Sequence, residues 1–415
     1  MPHTLYTFGL ALPPHAPAPI STTPFVPQTT LQAQRITILW KSWCDSVVAY
    51  RDAHDAWTVE YTGLGLTAAQ RERLDRSDDV RAAVGGEACA IRFFGSVMHD
   101  GLRGFVLSRD QLDATETEPA GDKVTVFATD LEREGGTPEW QSYALDRDHH
   151  LTDIKLCSGG DVLISLRVQS TGLGRILHVR DFAALRECLA SNFTTPHKSA
   201  APFLPKNWSL NSTTATAVND AGEVFTYTDD PRYPKCLGRP SEDDGGFQPV
   251  PYLSETCIVS VASGGYMTAA VSADGELFVW GQASPGSAGE LNVLGESTLP
   301  AVNNFASVDK SKQTWIAGIS EQDDFVKCLT VQVAGKEAVV SSVAVGCGHV
   351  LVAAEVPKAE GGEKAVLAAG QGSEGQLGPS TSMQFQSEFE EIPALRGKRI
   401  IQLMTAGWSS SVVCE

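Results

Sequence analysis

Residues 260–282 read SVASGGYMTAAVSADGELFVWGQ, and the same pattern recurs along the chain. A recurring unit constrains a fold more tightly than any single motif, because one copy cannot bury its apolar faces without its neighbours. Residues 209–228, SLNSTTATAVNDAGEVFTYT, align with it without a gap. The alignment sets Ser212 on Gly265, Asp220-Ala221-Gly222 on Ala273-Asp274-Gly275, and Tyr227 on Trp280. Alternating apolar residues broken by Asp-Gly predict a β-hairpin, in which glycine accepts the positive φ of the tight turn.

Weaker copies extend the series. VAVGCGHVLVAAE puts Cys347 at the Gly265 position, LCSGGDVLISL puts Gly160 there, and AVGGEACAI puts Gly86 there. ILWKSWCDSVV and LMTAGWSSSVV resemble each other and contribute Ser42 and Gly407, pairing Trp43 with Trp408. The anchors 42, 86, 160, 212, 265, 347 and 407 are separated by 44, 74, 52, 53, 82 and 60 residues. From 407 through the chain ends back to 42 is another 50, so seven units of about fifty residues close a ring.

The N-terminal stretch LYTFG mirrors FVWG at 278–281, and residues 4–9 are predicted to supply the outer strand that the last unit, 399–415, lacks. Such closure removes the open sheet edges that invite aggregation. The fold class expected is therefore all-β, a seven-bladed propeller spanning residues 1–415 as one domain. Segments 108–150 and 301–340 are read as insertions on the ring. Residues 66–79, with Thr67 and Gln70 as a capping box, and 181–193, with Phe182, Leu185 and Leu189 on one face, are read as two short inserted helices. The terminal aromatics Trp280, Tyr227 and Phe8 are expected to fill the wider space between sheets.

The Gly-Gly turn, the small-residue strand, the Trp-Gly ending and GQGSEGQLG at 370–378 resemble the regulator of chromosome condensation family. GSEGQLG is close to that family's asparagine-x-x-glycine-glutamine-leucine-glycine loop. The resemblance is strong over 205–300 and 340–415, and implies four-stranded blades closed by the N-terminal strand. The family's histidine after the turn survives only as His349, with Met267, Ser409 and Cys44 at the equivalent places. The resemblance implies a compact propeller that serves as a protein-interaction platform. Exchange of guanine nucleotide on a small GTPase is the alternative it offers, and an accessory role in tRNA or diphthamide modification is another.

Composition narrows the partners. The net charge is −18, and without a segregated basic run this opposes direct binding to a nucleic-acid backbone. No window of 18 uncharged apolar residues is present, so no membrane span is expected. Nine scattered cysteines with no CxxC disfavour a disulfide or zinc framework, and with no signal-peptide pattern a cytoplasmic or nuclear setting is expected. Part of the acidity is local to 110–139, where Asp113, Glu116 and Glu118 are candidate contacts for a partner with a basic surface.

Chemical motifs lack their contexts. Gly370-x-Gly372-x-x-Gly375 is followed by QLGPSTS, which breaks the helix that a dinucleotide fingerprint requires. His149-His150 are adjacent and do not converge on a metal, and GWSSS lacks the second glycine of a nucleophile elbow. No cofactor and no catalytic set is predicted. The remaining candidates are Trp43, Tyr266 and Trp408, aromatics beside the turns, which would ring one end of the propeller either as covers for its channel or as anchors for a protein partner.

Overall fold

The structure is a computed structural model that describes residues 1–10, 28–85, 90–98, 101–108, 121–194, 198–228, 230–241, 245–295, 315–322, 325–378 and 384–415. Seven antiparallel sheets follow one another, and each begins with a strand that faces a central channel. In chain order these inner strands are Arg35–Lys41, Ile91–Ser96, His149–Leu156, Asn207–Leu210, Ile258–Gly264, Val339–Val345 and Ile400–Ala406. They head blades one to seven. This is the seven-bladed propeller that the repeat predicts.

The last blade closes the ring. Ser409–Cys414 pairs on one side with Ile400–Ala406 and on the other with His3–Gly9, which in turn pairs with Gln28–Ala33. The N-terminal strand is thus the third strand of the blade, and a second N-terminal strand forms its outer edge. Residues 121–144 hold the third and fourth strands of blade two, Lys123–Phe127 and Trp140–Ala144. In blade five, Val326–Val333 pairs directly with Leu277–Gly281, and Trp315–Gln322 lies outside it.

Ladder register locates the repeat in three dimensions. His349 pairs with Gly370, Met267 with Gly281, Ser409 with Gly9 and Asp45 with Gly63. Each glycine lies at the end of the third strand of its blade, Gly370 one residue before it, with positive φ. A Cβ on Gly281 would stand 2.2 Å from the Tyr266 carbonyl oxygen, and one on Gly370 would stand 2.2 Å from that of Gly348. The glycine of the Trp-Gly ending is demanded by this close backbone approach.

The same register corrects two assignments. Asp45, not Cys44, is the blade-one counterpart of His349, so the blade-one anchor moves from Ser42 to Trp43. Gly86 lies outside the described residues. Residues 78–85 before it form a helix, and the blade-two turn falls instead between Ser96 and Gly101. The anchor spacing is more even than the sequence suggests.

Among the described residues four α-helices pack on the sheets. The capping box of Thr67 and Gln70 opens α1 (Ala68–Asp75), and Asp181 caps α4 (Phe182–Ala190), whose Leu185 and Leu189 are buried. Two further helices are α2 (Asp78–Gly85) and α3 (Asp130–Glu134). Blade one has three described strands, and α1 and α2 take the place of a fourth. Leu74, Val80 and Val84 bury against Val59 of that blade and Phe93 and Phe105 of the next.

The hydrophobic core is correspondingly divided between neighbouring blades. Trp280 packs with Val218 and Val224, Tyr227 with Leu163 and Ile176, and Phe8 with Leu351 and Val366, each bridging two sheets. The inner strands are sheet edges, and side chains of one blade satisfy the backbone of the next. The Gln402 amide exchanges two hydrogen bonds of 2.9 Å with the backbone of Ile38. Asn207 Oδ1 accepts from Val261 N–H at 2.7 Å.

Candidate functional site

The first and second strands of every blade are joined at one end of the ring, and these turns surround the channel mouth. Their backbones are linked from blade to blade. Ser212 N–H donates to Gly265 O at 2.7 Å, Cys347 N–H to Gly407 O at 2.8 Å and Trp43 N–H to Val97 O at 2.9 Å. In the first two pairs both partners are repeat anchors. The sequence periodicity therefore marks the positions that stitch the mouth into a rigid rim.

The position occupied by His349 points across the joint to the next blade. His349 is fully buried and its Nε2 lies 3.0 Å from Ser410 Oγ of blade seven, whose hydroxyl donates to Gln376 O at 2.8 Å. This ties the GSEGQLG loop to the ring closure. Burial, assisted by the charge of Lys41, lowers the His349 pKa to about 4, so the ring is neutral at physiological pH. Asp45 does the same work in blade one. Its carboxylate accepts from Trp40 Nε1 (2.9 Å), Ser42 Oγ (2.5 Å), Tyr61 OH (3.3 Å) and, across the joint, Leu102 N–H (2.8 Å). Cys347 is also held above its ordinary pKa by burial, which keeps it a protonated thiol and a poor nucleophile.

The three aromatic candidates sit on this rim but do not form one cluster. Trp43 is 36% exposed, and its backbone lies against Gly407, so Trp43 and Trp408 flank the joint between blades one and seven. Trp408 and Tyr266 hold equivalent positions, whereas Trp43 stands one position earlier, at the anchor itself. Tyr266 is two blades away from Trp408 and faces a different set of residues.

Tyr266 borders a cavity of about 660 Å³ that the turns of blades three, four and five share with the segment after Thr228. The Tyr233 ring lies 4.8 Å from it, centroid to centroid. Burial, then the hydrogen bond and proximity of Tyr233, hold the Tyr266 phenol above its usual pKa. Arg232 binds both oxygens of Asp230 at 2.7 Å, which lowers the Asp230 pKa, and its guanidinium sits 5.5 Å from the Tyr233 ring centre. The sequence reading passes over Arg232 and Tyr233. The available signal is their bracketing by Pro231 and Pro234 just after the third strand of blade four ends at Thr228.

The acidic candidates Asp113, Glu116 and Glu118 lie outside the described residues. The strand ends that bracket them, Leu107 and Lys123, are at the opposite end of the ring from Trp43, Tyr266 and Trp408. Among the described residues no three His, Cys, Asp or Glu side chains come together as a metal site, and no helix is long and apolar enough to cross a membrane.

Solved structures resemble this architecture over its whole length. Prp20p from Saccharomyces cerevisiae aligns with a TM-score of 0.56 at 11% identity, covering 100% of this chain and 91% of that one. The chain has the fold of a regulator of chromosome condensation-like propeller. Yeast RCC1 (Prp20) in its complex with Kap60 aligns at a TM-score of 0.58 and 12% identity, covering 100% and 89% of the two chains. Human WBSCR16 aligns at 0.53 and 12%, covering 100% and 99%. No protein-family model and no curated protein sequence matches the chain. The propeller geometry persists where sequence similarity has faded.

Proposed function

We propose that this RCC1-like propeller is a non-enzymatic protein-interaction platform whose partner docks on the turn rim. The observation that carries this reading is the pair Trp43 and Trp408, both accessible, beside the closure on a rim fixed by blade-to-blade backbone hydrogen bonds. Rigid aromatic anchors lose little conformational entropy on binding and are enriched at interface centres. The described binding of Prp20p to Gsp1p and histones, and the complex of yeast RCC1 with Kap60, support a protein partner for a propeller of this shape. The protein's net charge of −18 favours a partner with a basic surface.

The test is purification of the tagged protein from its own cells at two salt concentrations, with the bound proteins identified by mass spectrometry. Trp43→Ala/Trp408→Ala is expected to lose a stoichiometric partner that the parent retains, with thermal stability unchanged. Loss of folding would make the tryptophans structural and remove the basis of the reading. Exchange on a small GTPase is the second reading, consistent with the Gsp1p binding described for Prp20p. A GTPase retained without nucleotide and released by added GTP would favour it, because an exchange factor prefers the nucleotide-free state.

A further inference from the structure

The channel runs against the charge of the molecule. The whole chain carries 50 acidic residues against 32 lysines and arginines, yet among the described residues the charged side chains lining the channel are Lys41, Arg92 and Lys155 with the acid Asp153. Asp153 is already committed, to Lys155 Nζ at 3.2 Å and to Trp208 Nε1 at 2.8 Å. Among these described side chains the basic ones outnumber the acidic, inside an acidic ring. A narrow passage with low-dielectric walls focuses such a potential.

Lys41 is where that excess lacks a counter-ion. It ends the inner strand of blade one at the turn rim, and is half-buried between the channel and blade seven. Among the described residues its amine has no hydrogen-bond or ion-pair partner. The carboxylate that acts on it is Asp45, whose oxygens are filled by the four donors named above. Desolvation lowers the Lys41 pKa to about 8, which leaves it mostly protonated at neutral pH.

A second polar group at this end of the channel is also unsatisfied. Thr405, opposite Ser410 in the blade-seven ladder, has a buried hydroxyl with no partner, and it lines the channel with Lys41. His349, fully buried beyond Ser410, does not line the channel but lies near enough for the Lys41 charge to act on it. Buried polar groups in native proteins are paired to protein, water or ligand, so a lysine and a hydroxyl left open beside one cavity mark a place that something polar fills. The channel volume is about 580 Å³, room for a small organic anion.

We propose that the rim end of the channel is an anion-binding site, in which the Lys41 ammonium and the Thr405 hydroxyl receive a phosphate or carboxylate oxygen of a small molecule. The bound anion supplies the counter-charge that Asp45 cannot, and the charge-assisted hydrogen bond is of the stronger kind. The site lies just inside the rim that carries Trp43 and Trp408, and variants of Lys41 and Thr405 with both tryptophans in place test anion binding apart from the platform reading.

The experiment is calorimetric titration of the full chain with inorganic phosphate and, in a second arm, citrate, with thermal melting followed in parallel against sodium chloride of equal ionic strength. The parent is expected to bind at least one of them and to melt higher in it than in chloride; the arm that does so identifies the preferred oxyanion. Lys41→Met, which keeps the apolar stem and removes the uncompensated charge, is expected to weaken binding about tenfold or more while folding normally. Thr405→Val provides a second variant, expected to weaken binding with Lys41 in place. Lys336→Met, at an exposed lysine paired with Glu363, is expected to bind like the parent. No binding of either anion up to ~10 mM, or equal binding by parent and Lys41→Met, would overturn the proposal.

Discussion

At the scale of single residues, one position in the repeat performs one task with different chemistry. The first residue of the second strand reaches the next blade. In blade six it is His349, held to Ser410, and in blade one it is Asp45, held to Leu102 N–H. A letter-by-letter search for the histidine finds one blade, whereas the ladder register finds the common role. The buried histidine has a pH consequence. Its folded pKa, about 4, lies below the ordinary 6.5, so the unfolded chain takes up the proton first as pH falls. Its stabilising contribution is complete above pH 6.5 and is lost progressively down to pH 4. At pH 5 the parent is expected to have lost about 2 kcal/mol that His349→Asn does not lose. Urea unfolding of both proteins at pH 7.5 and pH 5 measures this. A stability difference that stays constant between the two would show that the imidazole titrates normally.

At the scale of elements, α1 and α2 stand where blade one would have its fourth strand. Sequence reading finds α1 because its capping box is local, but assigns the chain just after α2 to a turn, because Gly85-Gly86 imitates the Gly-Gly of the repeat. The attachment of α1 is specific. Gln70 is fully buried and its amide donates to Ala128 O and Glu139 O, both at 2.8 Å, on the neighbouring blade. Gln70→Ala removes both of these hydrogen bonds and opens the capping box, while Glu139 O keeps Ala128 N–H and Ala128 O keeps Arg133, for an expected loss of about 1–2 kcal/mol. Denaturant unfolding measures it, and a loss below ~0.5 kcal/mol would mean that the apolar contacts alone hold the helix.

At the scale of the whole molecule, stability depends on closure. His3–Gly9 and Gln28–Ala33 contribute two of the four strands of blade seven, and Leu5 and Phe8 enter the cores on either side of it. Deleting residues 1–33 would leave Ser409–Cys414 as an exposed edge and uncover both cores. The deleted protein is expected to lose cooperative thermal unfolding and to associate, with a peptide of residues 1–33 restoring the parent transition. A monomeric deletion variant that melts like the parent would show that the ring does not need its clasp.

The number of blades, the pairing of the chain ends, the interblade aromatics and the helix α1 were all legible in the sequence, because each rests on local chemistry repeated at a fixed period. Glycine at the end of a third strand is required by the backbone approach to the turn, and it reports blades one, five, six and seven. Blades two and three end that strand at Phe127 and Val179, which is why the chain before residue 200 reads poorly, whereas blade four, ending at Thr228, is legible from its gapless match to blade five. Only the tertiary structure decided which turn residues share a surface. It separates Tyr266 from the tryptophan pair and brings Lys41 and Thr405, far apart in the chain, to one end of the channel. Periodicity is a property of neighbours along the chain, whereas charge balance in a cavity depends on groups that only the closed ring brings together.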